Sequence, residues 1–393
     1  MKKAIAKWLR TYYPNTPFLR KTLTKIKLRM IAHYTMTAED IQKGESDLKE
    51  KHRIVNKYAK KWPTLTRKMY ENTKKYMQKN ATLSANCSEE IQEDVLFNCF
   101  AYGFMPDEYF IYSLGNKTSD EKKAYISDKD RYEYSFLLND FIDVGIFSDK
   151  YRAYEKYKAL YKRDAVCIER EADFGRFCAF IQKHPRFVKK EVGLSCGDSV
   201  ALICLDQTQM SEKEVFHSLI AKGRHILEEP VVQSAEMAKF HKESVNTVRC
   251  ATFRTSLGIE IGFCFLKTGQ GDSFVDNGGA GGILIGLSKE TGIIETDGRD
   301  EFSKVYQQHP DTHVTFMGQQ LPAWDEMISL AKKASAMTPS VRYISWDFAH
   351  TDAGWVVIEG NPCGQFIGPQ IAWQRGIKKD IVSQIESVAS ISL

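Results

Sequence analysis

Glycine is spread so unevenly along this 393-residue chain that it separates two kinds of backbone. Gly44 is the only glycine before Gly103, whereas eleven lie between Gly258 and Gly298. Because glycine weakens helices and serves turns, bulges and close approaches, the first hundred residues are expected to be helical and the later ones sheet-rich. Segments 38–61, 66–79 and 88–102 carry apolar residues at helical intervals, with Pro63 and the SANCS stretch at 84–88 as breaks. Residues 103–165 are aromatic and mixed, with helices expected near 119–126 and 149–163. From 165 onward AVCIER, RFVKKEV, SVALICLD and HILEEPVVQ alternate with helical stretches at 173–183 and 211–222. VRCATFRT, EIGFCFLK, GGILIGLS and a pair of runs at 343–361 then predict an antiparallel sheet, with a helix at 322–336. The pattern is α+β, divided at 1–85, 86–165, 166–235 and 236–393.

Composition excludes several classes. With 43% hydrophobic and 27% charged residues the chain is neither disordered nor fibrous, and no apolar run approaches 18 residues. The start, MKKAIAKWLRTYYP, is basic like a signal peptide, but Lys7 and Arg10 interrupt it. Nine scattered cysteines without a C-x-x-C spacing predict reduced packing residues and a cytoplasmic location. Residues 1–80 hold 21 Lys+Arg against 6 Asp+Glu, so the net charge of +5 conceals +15 at one end and −10 in the rest. The segment 1–36 interleaves these bases with Trp8, Tyr12, Tyr13, Phe18 and Ile26. It suits either peripheral contact with an anionic membrane or packing on the protein's own acidic body. No nucleic-acid-binding module accompanies the charge, so nucleic acid is not an expected partner.

The chemistry concentrates in the last sheet. YISWDFA (343–349) and GWVVIEGNP (354–362) are joined by Asp352, Ala353 and Gly354, with glycine where a short hairpin needs a left-handed residue. If Thr351 faces Trp355, Asp347 faces Glu359, and alternation puts Asn361 on the same face. Two carboxylates and an amide oxygen on adjacent strands suit magnesium, which takes one or two carboxylates and completes its shell with water and phosphate oxygens. An exposed sheet edge is the alternative, against which the surrounding tryptophans and valines argue.

Upstream, RFVKKEVGLSCGDSV (186–200) sets Lys189 and Lys190 on a strand before a small-residue loop with Ser195 and Gly197. Such a loop brings backbone N–H groups to phosphate oxygens, though a plain hairpin has the same composition. RHILEEPVVQ ends in Glu228, Glu229, Pro230 and Val231, either a solvated strand end or a linker that meets a purine and ribose. In SVNTVR, Asn246 and Arg249 face opposite ways on a regular strand, so without a bulge only one points inward; Arg249 is the candidate, as a bidentate clamp on a γ-phosphate or acceptor carboxylate, and a surface arginine is the alternative. VDNGGAGG (275–282) is glycine-dense enough to close on a ligand. His309, His313 and His350 lack the spacing of a zinc site, and His309 is a candidate contact for an acceptor.

Taken in order, GFMPDEYF (103–110), FVKKEVGLSCGDSV (187–200), LEEPVVQ (227–233), SVNTVR (244–249), FVDNGGAGGILIGL (274–287), HPDTHVTFMGQQLPAWDEM (309–327) and SWDFAHTDAGWVVIEGNP (345–362) resemble the sugar-transfer-associated branch of the ATP-grasp superfamily, found with polysaccharide biosynthesis. The resemblance covers roughly residues 90–385. It implies an ATP-grasp fold, two α+β subdomains clasping a nucleotide, behind a helical N-terminal extension. It further implies Lys189 on phosphate, the linker from Glu228 through Glu229 to Val231 on adenine and ribose, and Asp347, Glu359 and Asn361 on magnesium. The implied reaction is ATP-dependent activation of a carboxylate as an acyl phosphate, followed by attack of an amine or a sugar-linked acceptor. A phosphotransferase acting on a sugar hydroxyl and a non-catalytic nucleotide-binding scaffold are the alternatives. Lys267 stands where the family usually has arginine, and LSCGDS carries Asp198 where more glycine or a base is usual.

Overall fold

The computed structural model describes residue 26 and residues 33–79, 88–139, 141–192 and 200–392. Most of the basic segment 1–36 and the loop bearing Ser195 and Gly197 lie outside the described residues. Packing divides the chain into two units. One is Met1–Asn139 with Arg299–Val305 and Cys363–Leu393, and the other is Asp140–Gly298 with Tyr306–Pro362.

The first unit is helical, opening with Ala38–Ser46, Leu48–Lys61, Pro63–Lys79 and Glu89–Tyr102. The continuous helix expected over 38–61 is two, because the Asp47 carboxylate accepts from the backbone N–H groups of Lys49 (2.7 Å) and Glu50 (2.9 Å) and starts a new helix. Pro63 does not end a helix but opens one, at a position where its missing N–H costs no intrahelical bond; Trp62 makes the break. Tyr58, Trp62, Phe97 and Phe100 form the core of these helices. The helix expected over 119–126 stops at Lys123, and a second, Asp128–Leu138, follows behind Ser127, whose hydroxyl accepts from the Asp130 N–H at 3.2 Å. The terminal helix Lys378–Ser392 packs on Asp128–Leu138, with Lys378 Nζ 3.0 Å from the Asp130 carboxylate. The residues after 362 therefore join the helical unit rather than the sheet they follow in sequence.

The second unit holds two antiparallel sheets, apart from Arg299 and Val305, which count with the first unit. β1 (Ala165–Ile168), β2 (Arg186–Glu191), β3 (Ala201–Cys204) and β4 (His225–Glu228) lie in the order β1-β4-β2-β3. Helices Phe174–Lys183 and Glu212–Ile220 cover one face, where Phe177, Phe180, Phe216 and Leu219 pack on Val166, Ile168, Phe187 and Leu227. Alternation sends Cys167 and Ile226 to the opposite face, into a core shared with the larger sheet. That sheet comprises β5 (Thr247–Thr255), β6 (Gly258–Thr268), β7 (Ile283–Leu287), β8 (Gly298–Arg299), β9 (Val305–Tyr306), β10 (Tyr343–Thr351) and β11 (Gly354–Asn361), ordered β11-β10-β5-β6-β7-β8-β9. Its core includes Val248, Trp346, Phe348 and Val357, covered by the helix Trp324–Ala336. Gly360 lies opposite Trp346, and a Cβ there would come within 2.7 Å of the indole, so only glycine admits that ring. Among the described residues seven cysteines are free, and no helix is long and apolar enough to cross a membrane.

Candidate active site

The β10–β11 hairpin delivers the expected pairing by an unexpected route. Thr351 pairs with Gly354 and His350 with Trp355, one residue off the register that spacing predicts, because Gly354 takes a left-handed φ of 87° and tightens the turn. A β-bulge between Asp347 and Phe348 then restores the count: Phe348 pairs with Val357, Asp347 with Glu359 and Ser345 with Asn361. Ile358 is the extra residue. The Asn361 amide N–H donates to Glu359 Oε1 at 3.0 Å, leaving the amide oxygen as an acceptor on the same face.

Register on the other side of β10 sets Asp347 against Arg249 of β5, and Thr247 of β5 against Lys267 of β6. Arg249 Nε and Nη2 each donate to Asp347 at 2.6 Å, a bidentate pair, and Lys267 Nζ lies 3.3 Å from the same carboxylate. Burial would raise the Asp347 carboxyl, but Arg249 and Lys267 outweigh it and hold the group well below the usual carboxylate range. Burial would likewise lower Arg249, and Asp347 more than reverses that. Asp276 completes the cluster: it accepts from the Thr247 N–H at 3.1 Å and from the Thr247 hydroxyl, and lies 3.6 Å from Lys267. Burial raises its carboxyl despite the attraction of Lys267.

The smaller sheet contributes a second charged group. Lys189 pairs with Leu227, which belongs to the helix-side core, whereas Lys190 pairs with Ile226, which faces the larger sheet. The lysine on the inter-sheet side is thus Lys190, whose Nζ lies 2.9 Å from Glu228 Oε2. Arg163 Nε is 3.0 Å from the same oxygen. Burial opposes ionisation of Glu228, yet Arg163 and Lys190 pull it down to about 2. Lys150 opens the helix Lys150–Tyr161 and donates to the Glu191 carbonyl at 3.0 Å. Burial lowers it, opposed by Glu359 and Glu228 and reinforced by Lys190, so it belongs to the same field.

Other expected residues are placed elsewhere. Asn246 is fully buried, and its amide donates to Gln233 Oε1, the Met237 carbonyl and the His241 carbonyl at 2.7–2.9 Å, which anchors the segment after β4. The Glu229 carboxylate accepts from the Asp164 N–H at 3.0 Å, and Val231 lies half-buried beyond it. His309 is fully buried, with Nε2 2.8 Å from the Gly269 carbonyl; its ring stacks on His241, and burial lowers its pKa. Sequence reasoning missed Lys150, Arg163 and Asp276. Only Asp276 carried a signal, as the acid opening the glycine-dense VDNGGAGG.

The donor set Asp347, Glu359 and Asn361 fits magnesium: hard oxygen ligands, two of them carboxylates, with room in the shell for water and phosphate.

Two antiparallel sheets with helices packed on them, and an acid–base cluster on β5, β6 and β10 of the larger one, frame the candidate site. The family model of sugar-transfer associated ATP-grasp proteins matches residues 130–387, and the chain belongs to that family. Similar solved structures include the D-alanine-D-alanine ligase from Coxiella burnetii (TM-score 0.40, 12% identity, 64% of this chain and 60% of that one). Others are the VanG D-Ala:D-Ser ligase from Enterococcus faecalis (TM-score 0.40, 13% identity, 66% and 64%) and the ATP-grasp ligase PsnB with Mg and ADP (TM-score 0.41, 10% identity, 64% and 61%). The chain thus spans less than two thirds of the length of these three structures. No curated protein matches it.

Proposed function

We propose that this chain is an ATP- and magnesium-dependent ligase that activates a small-molecule carboxylate as an acyl phosphate and couples it to an amine or a sugar-linked nucleophile. The observation that carries the reading is the one strand face on which Arg249, Lys267, Asp276 and Asp347 meet, in register with Glu359 and Asn361. Family membership supports nucleotide use, and the family's association with sugar transfer supports a role in cell-surface polysaccharide or glycoconjugate synthesis.

In this reading the segment from Glu228 through Glu229 to Val231 lies along adenine and ribose, and Lys150 and Lys190 hold phosphate oxygens. Asp347, Glu359 and Asn361 would hold magnesium, which supplies charge neutralisation at the phosphates when bound. Arg249 and Lys267, which rest on Asp347, turn to the transferring phosphoryl group; Asp276, fixed by Thr247, keeps Lys267 oriented. The substrate carboxylate oxygen attacks the γ-phosphorus and ADP departs. The nucleophile then attacks the acyl carbon, phosphate leaves with the electron pair of the C–O bond, and the surplus amine proton passes to solvent. Lys189 and Asn246 stay outside this contact set. The reading places the protein in the cytoplasm, with the basic segment 1–36 as a peripheral contact at the inner membrane face.

Calorimetric titration of ATP with and without magnesium, followed by mass spectrometry of products from carboxylate and amine pairs, tests it. A ligase releases ADP and free phosphate only when both acceptors are present. Phosphate retained on the acceptor would replace the reading with a phosphotransferase, and no ATP binding by folded protein would leave a scaffold.

A further inference from the structure

Arg163 lies between the helix Lys150–Tyr161 and β1, with a side chain only 4% exposed. A guanidinium so buried has to satisfy five N–H donors, and the partners of this one are unusual. Nε and Nη2 reach Glu228 Oε2 at 3.0 and 2.9 Å. Nη1 donates to the Val357 carbonyl at 2.8 Å and Nη2 to the Ile358 carbonyl at 3.1 Å. The guanidinium also lies 4.5 Å over the Tyr161 ring. β11 is the edge of its sheet, so carbonyls on its outer side have no neighbouring strand to bond. Val357 and Ile358 are also the residues at which the β10–β11 register shifts, with Ile358 the extra residue that sets Glu359 opposite Asp347.

We infer that Arg163 is a positioning residue that holds the β11 bulge, and with it the metal-facing alignment of Glu359 and Asn361, while joining that bulge to Glu228 at the start of the linker after β4. The inference deepens the ligase reading and rests on it for the meaning of Glu359 and Asn361, but the bulge itself can be observed without nucleotide. Lysine cannot take over this role. A single ammonium reaches Glu228 or one carbonyl, whereas the planar fork bonds a carboxylate and two successive carbonyls at once.

The test compares wild type and Arg163→Lys by amide hydrogen exchange in the absence of nucleotide, then by the magnesium concentration that half-saturates ATP binding. The expected result is a loss of protection of at least tenfold confined to residues 355–361, with β5 and β6 unchanged, and a magnesium requirement raised about tenfold. A residue that merely fills the core would lower protection across the unit and leave the magnesium requirement alone; that pattern, or unchanged exchange in 355–361, overturns the inference. If Arg163→Lys does not fold, the pair Arg163→Gln with Glu228→Gln removes one charge of each sign, keeps the buried balance, and is read by the same local exchange. Wild-type protein that binds no ATP would remove the ligase reading, while the exchange contrast still decides whether Arg163 holds the bulge.

Discussion

Replacing Asp347 with asparagine removes the anion on which two buried cations converge, so the variant should be unstable as well as inactive. Arg249 makes two 2.6 Å bonds to this carboxylate and Lys267 a third contact at 3.3 Å, and the Asp347 and Lys267 side chains are only 4% and 5% exposed. Removing one partner of a buried ion pair costs about 3–5 kcal/mol, because the other charge stays desolvated. Asp276, 3.6 Å from Lys267, offsets part of that loss, which favours the low end, about 3 kcal/mol. In a unit of this size that corresponds to a Tm lower by about 6–12 °C. Glu359→Gln should behave differently: its amide oxygen still accepts from Asn361, and the cations in its field, Arg249 and Lys150, keep Asp347 and the Glu191 carbonyl, so stability should change by less than about 1 kcal/mol. Urea and thermal unfolding at pH 7 without nucleotide, followed by near-UV circular dichroism, measure the contrast. Equal midpoints for Asp347→Asn and wild type would refute the reasoning, and the ion cluster would then carry no net stability.

Lys190→Met should weaken ATP binding by about 10- to 100-fold, the worth of a charge-assisted hydrogen bond, and Lys189→Met by much less; equal losses in calorimetry would overturn the assignment of faces. Glu228, held at about 2 against an ordinary value of 4.5, contributes stability that is fully present above about pH 4.5 and lost as pH falls towards 2, about 3 kcal/mol in all. Urea midpoints between pH 2 and 6 should therefore be flatter in Glu228→Gln, and a parallel pH slope would contradict this. Gly354→Ala forces a side chain into φ 87° with no steric clash nearby, so it should cost about 1–2 kcal/mol through backbone strain alone, read as a shift in urea midpoint without a change in slope.

Much of the fold was legible in the sequence because period and punctuation mark it. The glycine-poor start is helical, and the strands around 165–191, 225–228, 247–268 and 343–361 fall where β-rich runs predict them. Missed boundaries have local causes: the Asp47 side chain restarts a helix, and Pro63 sits where proline is tolerated. The pairing of Asp347 with Glu359 was legible, but the turn beside Gly354 and the bulge at Ile358 each displace the register by one, and alternation cannot reveal two shifts that cancel. Lys189 and Lys190 cannot be told apart from the strand alone, because which face is which depends on where Leu227 and Ile226 pack. Arg163 and Lys150 left no trace, since Glu228 and the Val357 carbonyl lie 65 and 194 residues from Arg163, and the Glu191 carbonyl 41 residues from Lys150.

The assignment of Cys363–Leu393 to the helical unit has a consequence for how the protein is made. Synthesis proceeds from the amino end, and domains that fold as units ordinarily do so while the rest of the chain is still being built. Here Ile381, Ile385 and Val388 of the helix Lys378–Ser392 are buried, and that helix packs on Asp128–Leu138, so a unit begun before the sheets is joined by residues made after them. Removing the helix Lys378–Ser392 would therefore uncover Asp128–Leu138 of the helical unit rather than the strands encoded just before it.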